Sequence, residues 1–559
     1  MSCNLIKFLS LFLSIFLYIG CASYDTNYSK DSENWNDNQL GNDLEIEHSF
    51  YLIGDAGNAE LNEDLTHFNL LKNELLTSSK NATLLFLGDN LYEKGMPKKE
   101  HSLRKLSEHR LNAQIDLVKN FTGETIFIPG NHEYYSDGIN GLKRQENYIT
   151  DKLGKKAFFP KNGCPLKKIN ISEDIVLILI DSQWYLENWD NNPTMNDDCD
   201  IKTRELFFDE FESLIKKNES KTTIVAMHHP LFSNGSHGGQ FSFKSQFYPV
   251  NNTFPLPIIG TFANIFRATS GISTQDLNNS IYREFKNRII TLAQKSEKVI
   301  FVSGHEHNLQ YILQDNIPQI VSGSGSKTSA AKVINGSQFS YGNLGYAKVN
   351  VYKNGSSNVA FYTEIDDKTQ LLFKQEIHLP SETKKQYNFS NNFPKTIESS
   401  IYSTKEISKK KLYLGLWGKH YRNYYGTKVA APTVLIDTLF GGLTPIKTGG
   451  GHQSKSLRLA DKNGKEYVMR ALRKSATQYL QAVAFKNQYI EGQYDNTYTE
   501  GLLLDIYTTS HPFAPFTIGK LADAIDIYHS NPILYYVPKQ NGLLHFNEFF
   551  GNEMYMIEE

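Results

Sequence analysis

The chain has 559 residues, more than one hydrophobic core supports, so two or three domains are expected. Apolar residues make up 40% and charged residues 21%, the proportions of a globular protein. A formal net charge of -2 gives no electrostatic pull toward a polyanion, so no nucleic-acid partner is expected.

The N-terminus reads "MSCNLIKFLSLFLSIFLYIGCAS". A single Lys7 precedes an apolar run from Phe8 to Ile19, which is short for a bilayer span and has the pattern of a secretory signal peptide. Gly20 before Cys21 resembles a bacterial lipoprotein processing site, which implies a lipidated cysteine and membrane attachment through that lipid. Tyr18 departs from the usual leucine, and plain secretion is the alternative. Residues 1–21 are thus assigned to a leader. Residues 22–46 are polar, rich in Asn, Asp and Ser, and are expected to form a flexible tether. Export would put Cys164 and Cys199 in an oxidising compartment, where they could pair. Spacing alone cannot bring their Cα atoms within bonding range, so the pairing stays open.

From 47 to 378 one pattern repeats: a short apolar run, then a turn rich in Gly, Asp, Asn or His. "HSFYLIGDAGN" leads into a helix-like stretch at 60–79, and "ATLLFLGDN" into another at 101–120. "ETIFIPGNHE", "DIVLILIDS" and "TTIVAMHHP" follow, and the helix-like "IYREFKNRIITLAQK" precedes "KVIFVSGHEH". Continuous apolar strands alternating with helices predict sheets buried on both faces. "YAKVNVY" and "NVAFYTEI" alternate, as half-exposed antiparallel strands do. Because ligand sites in such sheets gather beyond the carboxyl ends of the strands, Asp55, Asp89, Asn131, His228 and His305 are expected on one rim. In "GHEH", His305 and His307 are one residue apart just past a strand end, where both imidazoles can reach one point, as a metal requires. Each turn alone could be a cap or a loop. Such turns at successive strand ends, in this order, need a shared cause.

The ordered set "GDAG" (54–57), "GDNLY" (88–92), "GNHE" (130–133), "AMHHP" (226–230) and "GHEH" (304–307) resembles the calcineurin-like metallophosphoesterases, and within them the purple acid phosphatase branch. The wider superfamily has a histidine two residues after the first aspartate, where this chain has Gly57. The purple branch lacks it and carries a tyrosine three residues after the second aspartate, here Tyr92. The resemblance implies an α/β fold, a four-layer αββα sandwich of two mixed sheets flanked by helices. It also implies a centre of two metal ions, Fe(III) with a divalent Fe, Zn or Mn. Asp55, Tyr92 and His307 would hold the first ion, Asn131, His228 and His305 the second, with Asp89 bridging. Phosphate esters would then be hydrolysed by metal-bound hydroxide. His132 is placed to contact phosphate and protonate the leaving group, and His237 to act on the substrate side. Glu306, between two ligands, is expected to point away from the centre, and His229 to be no ligand. A phosphodiesterase acting on cyclic nucleotides or other diesters through the same centre, and an envelope assembly or binding protein using the fold as a scaffold, are the alternatives.

About 75 residues separate "AMHHP" from "GHEH", including "FPLPIIGTFANIF". Such an insert is a lid, a substrate loop, or a face for a membrane or partner. Residues 379–411 read as a linker. Residues 412–559 read as a smaller accessory α+β domain, with a hairpin at Asn463-Gly464. This block resembles an accessory segment that follows phosphatase domains in longer outer-membrane proteins of Gram-negative bacteria. That likeness implies an outer-membrane partner and a place in the cell envelope.

Overall fold

The structure, a computed structural model, describes residues 21–36, 44–61, 66–248, 254–366, 368–380, 389–390, 392–449, 453–490, 493–494 and 497–559. The leader 1–20 lies outside them. The chain divides into two compact units, 1–381 and 382–559.

The first unit is built on two mixed sheets. One contains β2 (Ile46–Ile53), β3 (Ala82–Leu87), β4 (Glu124–Ile128), β12 (Tyr346–Tyr352), β13 (Ser357–Ile365) and β14 (Lys368–His378), in the order β14-β13-β12-β2-β3-β4. The other contains β1 (Asn27–Tyr28), β5 (Leu166–Asn170), β6 (Ile175–Ile180), β7 (Thr222–Met227), β8 (Val299–Ser303), β9 (Leu309–Gln314), β10 (Ile317–Ser322) and β11 (Ser337–Tyr341), in the order β1-β11-β9-β10-β8-β7-β6-β5. β2, β3 and β4 run parallel, and so do β6, β7 and β8.

Side chains alternate across each strand, and this alternation makes the layers. Phe50, Leu52, Leu85 and Leu87 of one sheet share a core with Leu177, Leu179, Ile224 and Val302 of the other. The residues between them, Tyr51, Ile53, Leu84 and Phe86, or Ile178, Ile180 and Val225, turn outward. They pack under helices carrying Leu71 and Leu75, Leu111, Leu142 and Ile149, Phe207 and Phe211, and Tyr282 and Phe285. The result is the αββα sandwich, with apolar residues on both faces of each central strand. Parallel register keeps the strand ends level: Phe86 sits opposite both Ile53 and Phe127, and Ile180 opposite Met227. The turns that follow therefore meet at one rim.

Two expected boundaries differ. Residues 22–36, read as part of a tether, are packed on the domain. Ala22 N–H donates to the Phe241 carbonyl (3.1 Å), Asn27 pairs with Ser340, and the Tyr28 hydroxyl donates to the Leu372 carbonyl (2.9 Å). The Trp35 ring meets Phe373 edge-on at 5.9 Å. Tyr28 and Trp35 supply apolar area that the polar composition around them hides. Residues 37–43 lie outside the described set. Likewise, the expected linker 379–411 contains a strand, Thr396–Ser399, that pairs with Val429–Pro432, and Ile401 and Tyr402 are buried beyond it. The second unit also holds a five-stranded antiparallel sheet around Leu457, Leu459, Met469 and Tyr555. At its Asn463-Gly464 turn, Gly464 has φ +82 and its N–H donates to the Asp461 carbonyl. Cys164 and Cys199 are joined in a disulfide, with Cα atoms 5.3 Å apart. Among the described residues, no helix is long and apolar enough to cross a membrane.

Candidate metal centre

All the residues expected to bind metal meet at the rim. Asp55 follows β2, Asp89 follows β3, Asn131 follows β4, His228 follows β7, and His305 and His307 follow β8. Asp55 (φ 57), Asp89 (φ 52) and His305 (φ 70) adopt the left-handed backbone that residues with a Cβ rarely take. Backbone strain of this kind persists where surrounding structure imposes it, and here it occurs at three side chains aimed at one point. Gly304 explains part of the close approach, because a Cβ there would lie 2.6 Å from Asp55 Oδ2. A Cβ at position 57 would lie 2.2 Å from the Asn90 carbonyl carbon, so a histidine cannot replace Gly57 without moving the second turn.

The donor atoms face each other. Ligand atoms of Asp55, Asp89 and His228 all lie within 4.8 Å of one another. His228 Nε2 is 3.4 Å from Asp89 Oδ1, 3.0 Å from Asn131 Oδ1 and 3.3 Å from His305 Nδ1. On the other side, Tyr92 Oη donates to Asp55 Oδ1 (2.7 Å) and lies 3.1 Å from His307 Nε2. Asp55 Oδ1 is 3.5 Å from the same His307 nitrogen.

Neighbouring groups orient these donors. His228 Nδ1 donates to the Leu87 carbonyl (2.8 Å), and His305 Nε2 to the Gln275 carbonyl (2.9 Å). With that nitrogen engaged, each imidazole turns its other nitrogen to the centre. Asn131 Nδ2 donates to the Tyr135 hydroxyl (2.7 Å), which leaves its carbonyl oxygen facing His228. Burial and the neighbouring histidines push His305 well below its ordinary value, so it is neutral, as a metal ligand must be. Burial opposes charge on Asp89, but His228 and His132 beside it hold its carboxyl below the usual range. Burial, with Asp55 and Asp89, pushes the Tyr92 phenol well above its ordinary value. Burial opposes charge on His228, but Asp89 beside it raises it to about 10, so a cation at the centre would take the place of that proton. Buried carboxylates with imidazoles, an amide oxygen and a phenol form a donor set that fits metal ions.

Residues 48–309 match the model of the calcineurin-like phosphoesterase family. The chain carries a calcineurin-like phosphoesterase domain. No curated protein matches the chain. Among solved structures, GAP50, the anchor in the inner membrane complex of Plasmodium, is 13% identical with a TM-score of 0.39, over 61% of this chain and 91% of its own. Purple acid phosphatase PPD1 from yellow lupin (Lupinus luteus) seeds is 13% identical with a TM-score of 0.36, over 58% and 53%. PhoD is 10% identical with a TM-score of 0.38, over 60% and 72%. Likenesses this weak carry no argument about what the chain does.

Around the donors, the phosphoesterase domain places further groups. His132 Nδ1 donates to the Glu93 carbonyl (2.5 Å), and its Nε2 stands 3.8 Å from Asp89 Oδ2 on the open side. The His237 ring lies on His305, centroids 4.0 Å apart, and its Nδ1 meets Asp276 Oδ1 at 2.7 Å. His229 is no ligand: Ser182 and the Gln275 side chain occupy its two nitrogens, and burial drops it to about 3.

Sequence reasoning missed two groups and the task of a third, Glu306. Glu133 is fully buried and accepts N–H groups from Asp89, Asn90, Leu91 and Gly130, tying the second and third turns together. Burial, reinforced by the Asp89 charge, pushes its carboxyl up to about 7. Glu306 turns away from the ligands, and it holds the next loop instead, accepting from Ser233 Oγ (2.9 Å) and from the His237 N–H (2.7 Å). Lys327 places Nζ 3.4 Å over the Tyr92 ring, within the field of Asp55 and Asp89. Glu306→Gln keeps the shape but removes the charge from these short bonds, so His237 should lose order. We expect turnover to fall several-fold with metal content intact, measured by hydrolysis and elemental analysis of one preparation.

Proposed function

We propose that the chain is an exported dinuclear-metal phosphoesterase of the acid-phosphatase type, acting on small phosphate esters. The observation that carries this reading is the convergence of Asp55, Asp89, Tyr92, Asn131, His228, His305 and His307 at one buried rim of the family's domain. Asp55, Tyr92 and His307 would hold one ion, and Asn131, His228 and His305 the other. Asp89, between the two groups, would serve both. A phenol donor suits a trivalent ion such as Fe(III), and the amide and imidazole donors suit a divalent one. Bound there, the ions would neutralise the phosphoryl oxygens and supply a nucleophilic water at low pH.

The protein's own groups have separate tasks. Asp55 and Asp89 supply the charge that retains the cations. His132 Nε2, on the open side and not among the ligands, is placed to give a proton to the leaving oxygen. His237, stacked on His305 and oriented by Asp276, is placed to bind a phosphoryl oxygen from the opposite side. Tyr92→Phe tests the assignment directly. Tyrosinate bound to Fe(III) gives broad visible absorption, so the oxidised wild type should be coloured and the variant colourless. An iron-replete, active wild type without the band would remove Tyr92 from the site.

Export is supported by the leader and by the Cys164–Cys199 disulfide, since such bonds persist in oxidising compartments. We place the chain in the envelope of a Gram-negative bacterium, held by lipid on Cys21, with residues 412–559 facing an outer-membrane partner. Cys21→Ser should move the protein from the membrane fraction to the soluble one. An unchanged distribution would favour simple secretion, or attachment through the second unit.

A further inference from the structure

The insert between His228 and His305 contains a helix, Pro257–Ser270, whose outer face is apolar and, among the described residues, uncovered. Ile259 is 59% exposed, Phe262 62%, Ile265 51% and Phe266 62%. Positions 259, 262 and 266 share one face of the helix. The shorter helix Phe243–Phe247 beside it exposes Phe243. Thr261 and Asn264 hydrogen-bond to Gln246 and Ser245 of that helix, so the two move together. Soluble proteins seldom leave such a contiguous patch in water. From Phe241 to Ser273 the sequence has no Asp or Glu, and its charges are Lys244 and Arg267.

The described chain begins at this face. Cys21 Sγ lies 3.6 Å from Gln246 Nε2, and Ala22 is bridged to Ser242 with its N–H on the Phe241 carbonyl. The apolar stretch Phe8–Ile19 ends just before that point. Cys21, where the proposed anchor would attach, thus lies beside the exposed helix.

We infer that the helix Pro257–Ser270 lies on the lipid bilayer to which the chain is anchored, with Phe262 and Phe266 buried in the interface. The inference rests on the anchoring at Cys21 proposed above. An acid-free, weakly basic segment with an aromatic and aliphatic face is what an anionic bilayer surface accepts, burying about 5–10 Å of it. The helix also links membrane to site. Its Arg267 bonds Asp276 (3.0 and 2.8 Å) and reaches His237 Nδ1 (3.2 Å), and His237 stacks on His305. Seating this helix on lipid therefore fixes the substrate side of the centre next to the membrane surface.

The test uses the full chain on vesicles of phosphatidylethanolamine and phosphatidylglycerol brominated on their acyl chains. A tryptophan introduced by Phe262→Trp should lose roughly half of its emission, as interfacial burial predicts. One introduced by Ile46→Trp, at the far end of β2 from the rim and 45% exposed, should lose almost none. Vesicle-bound protein with no quenching at position 262 overturns the inference and leaves the anchor standing. Protein that does not float with vesicles overturns the anchor and the inference with it. Phe262→Asp with Phe266→Asp should leave hydrolysis of a soluble aryl phosphate unchanged, which shows that the variant folds. If that pair instead splits a dimer while position 262 stays unquenched, the face belongs to a second copy and the inference falls.

Discussion

Asp89→Asn should abolish hydrolysis of a simple aryl phosphate and strip the protein of both metal ions. Asp89 is the carboxylate between the two halves of the donor set: Oδ1 lies 3.4 Å from His228 Nε2, and Oδ2 faces His132. The amide is nearly isosteric, so the backbone bond from His132 N–H to Oδ1 (3.1 Å) can survive and the turn should keep its shape. What is lost is the charge that, in the proposed centre, both cations would share. Charge stabilisation of several kcal/mol by the metals corresponds to a rate loss of roughly 10³-fold or more. Thermal melts separate loss of metal from loss of fold. Added metal should raise the wild-type melting temperature by mass action and leave the variant where it is, because only a native site binds. Without added metal, the variant should melt somewhat lower than wild type, because a carboxyl that His228 and His132 hold below the usual range stabilises the fold when ionised. A variant that retains both ions and full activity would show that Asp89 bridges nothing.

What could be read from the sequence was local. An apolar run followed by Gly-Asp, Gly-Asn-His or Gly-His-x-His announces both the strand and the group at its end, so the sandwich and the rim were legible. The partners that orient those groups were not. Glu133 looks like an acid in a turn, yet three of the N–H groups it accepts belong to Asp89, Asn90 and Leu91, distant in sequence. The Gln275 carbonyl that fixes His305 lies in the insert, where no motif marks it. Glu306 was expected outside the donor set, and its side chain does leave the ligands. Spacing could not show that it is fully buried under the loop carrying His237. The tether and the linker failed for a different reason. Polar composition predicts exposure on average, whereas a few apolar residues, Tyr28 and Trp35 in one case and Ile401 and Tyr402 in the other, are enough to seat a segment. The Cys164–Cys199 pair was undecidable because proximity is a tertiary fact.

His132→Ala should keep both metals and lower turnover by roughly 10²–10⁴-fold on esters with poor leaving groups, the range of a general acid. The geometry separates this residue from the ligands. Its Nδ1 is engaged by the Glu93 carbonyl, and its Nε2 stops 3.8 Å from Asp89. Its ring is wedged between Tyr92 and Tyr135, at centroid distances of 4.5 and 4.9 Å, so it keeps its orientation without a metal bond. A proton delivered to the departing oxygen matters most for a basic alkoxide and least for nitrophenolate. The deficit should therefore shrink steadily as the leaving group becomes more acidic, and a plot of rate against leaving-group pKa should be steeper for the variant than for wild type. A purely structural defect would depress all esters equally, and a lost ligand would appear as missing metal. Equal depression with full metal content would overturn the proton-donor role of His132.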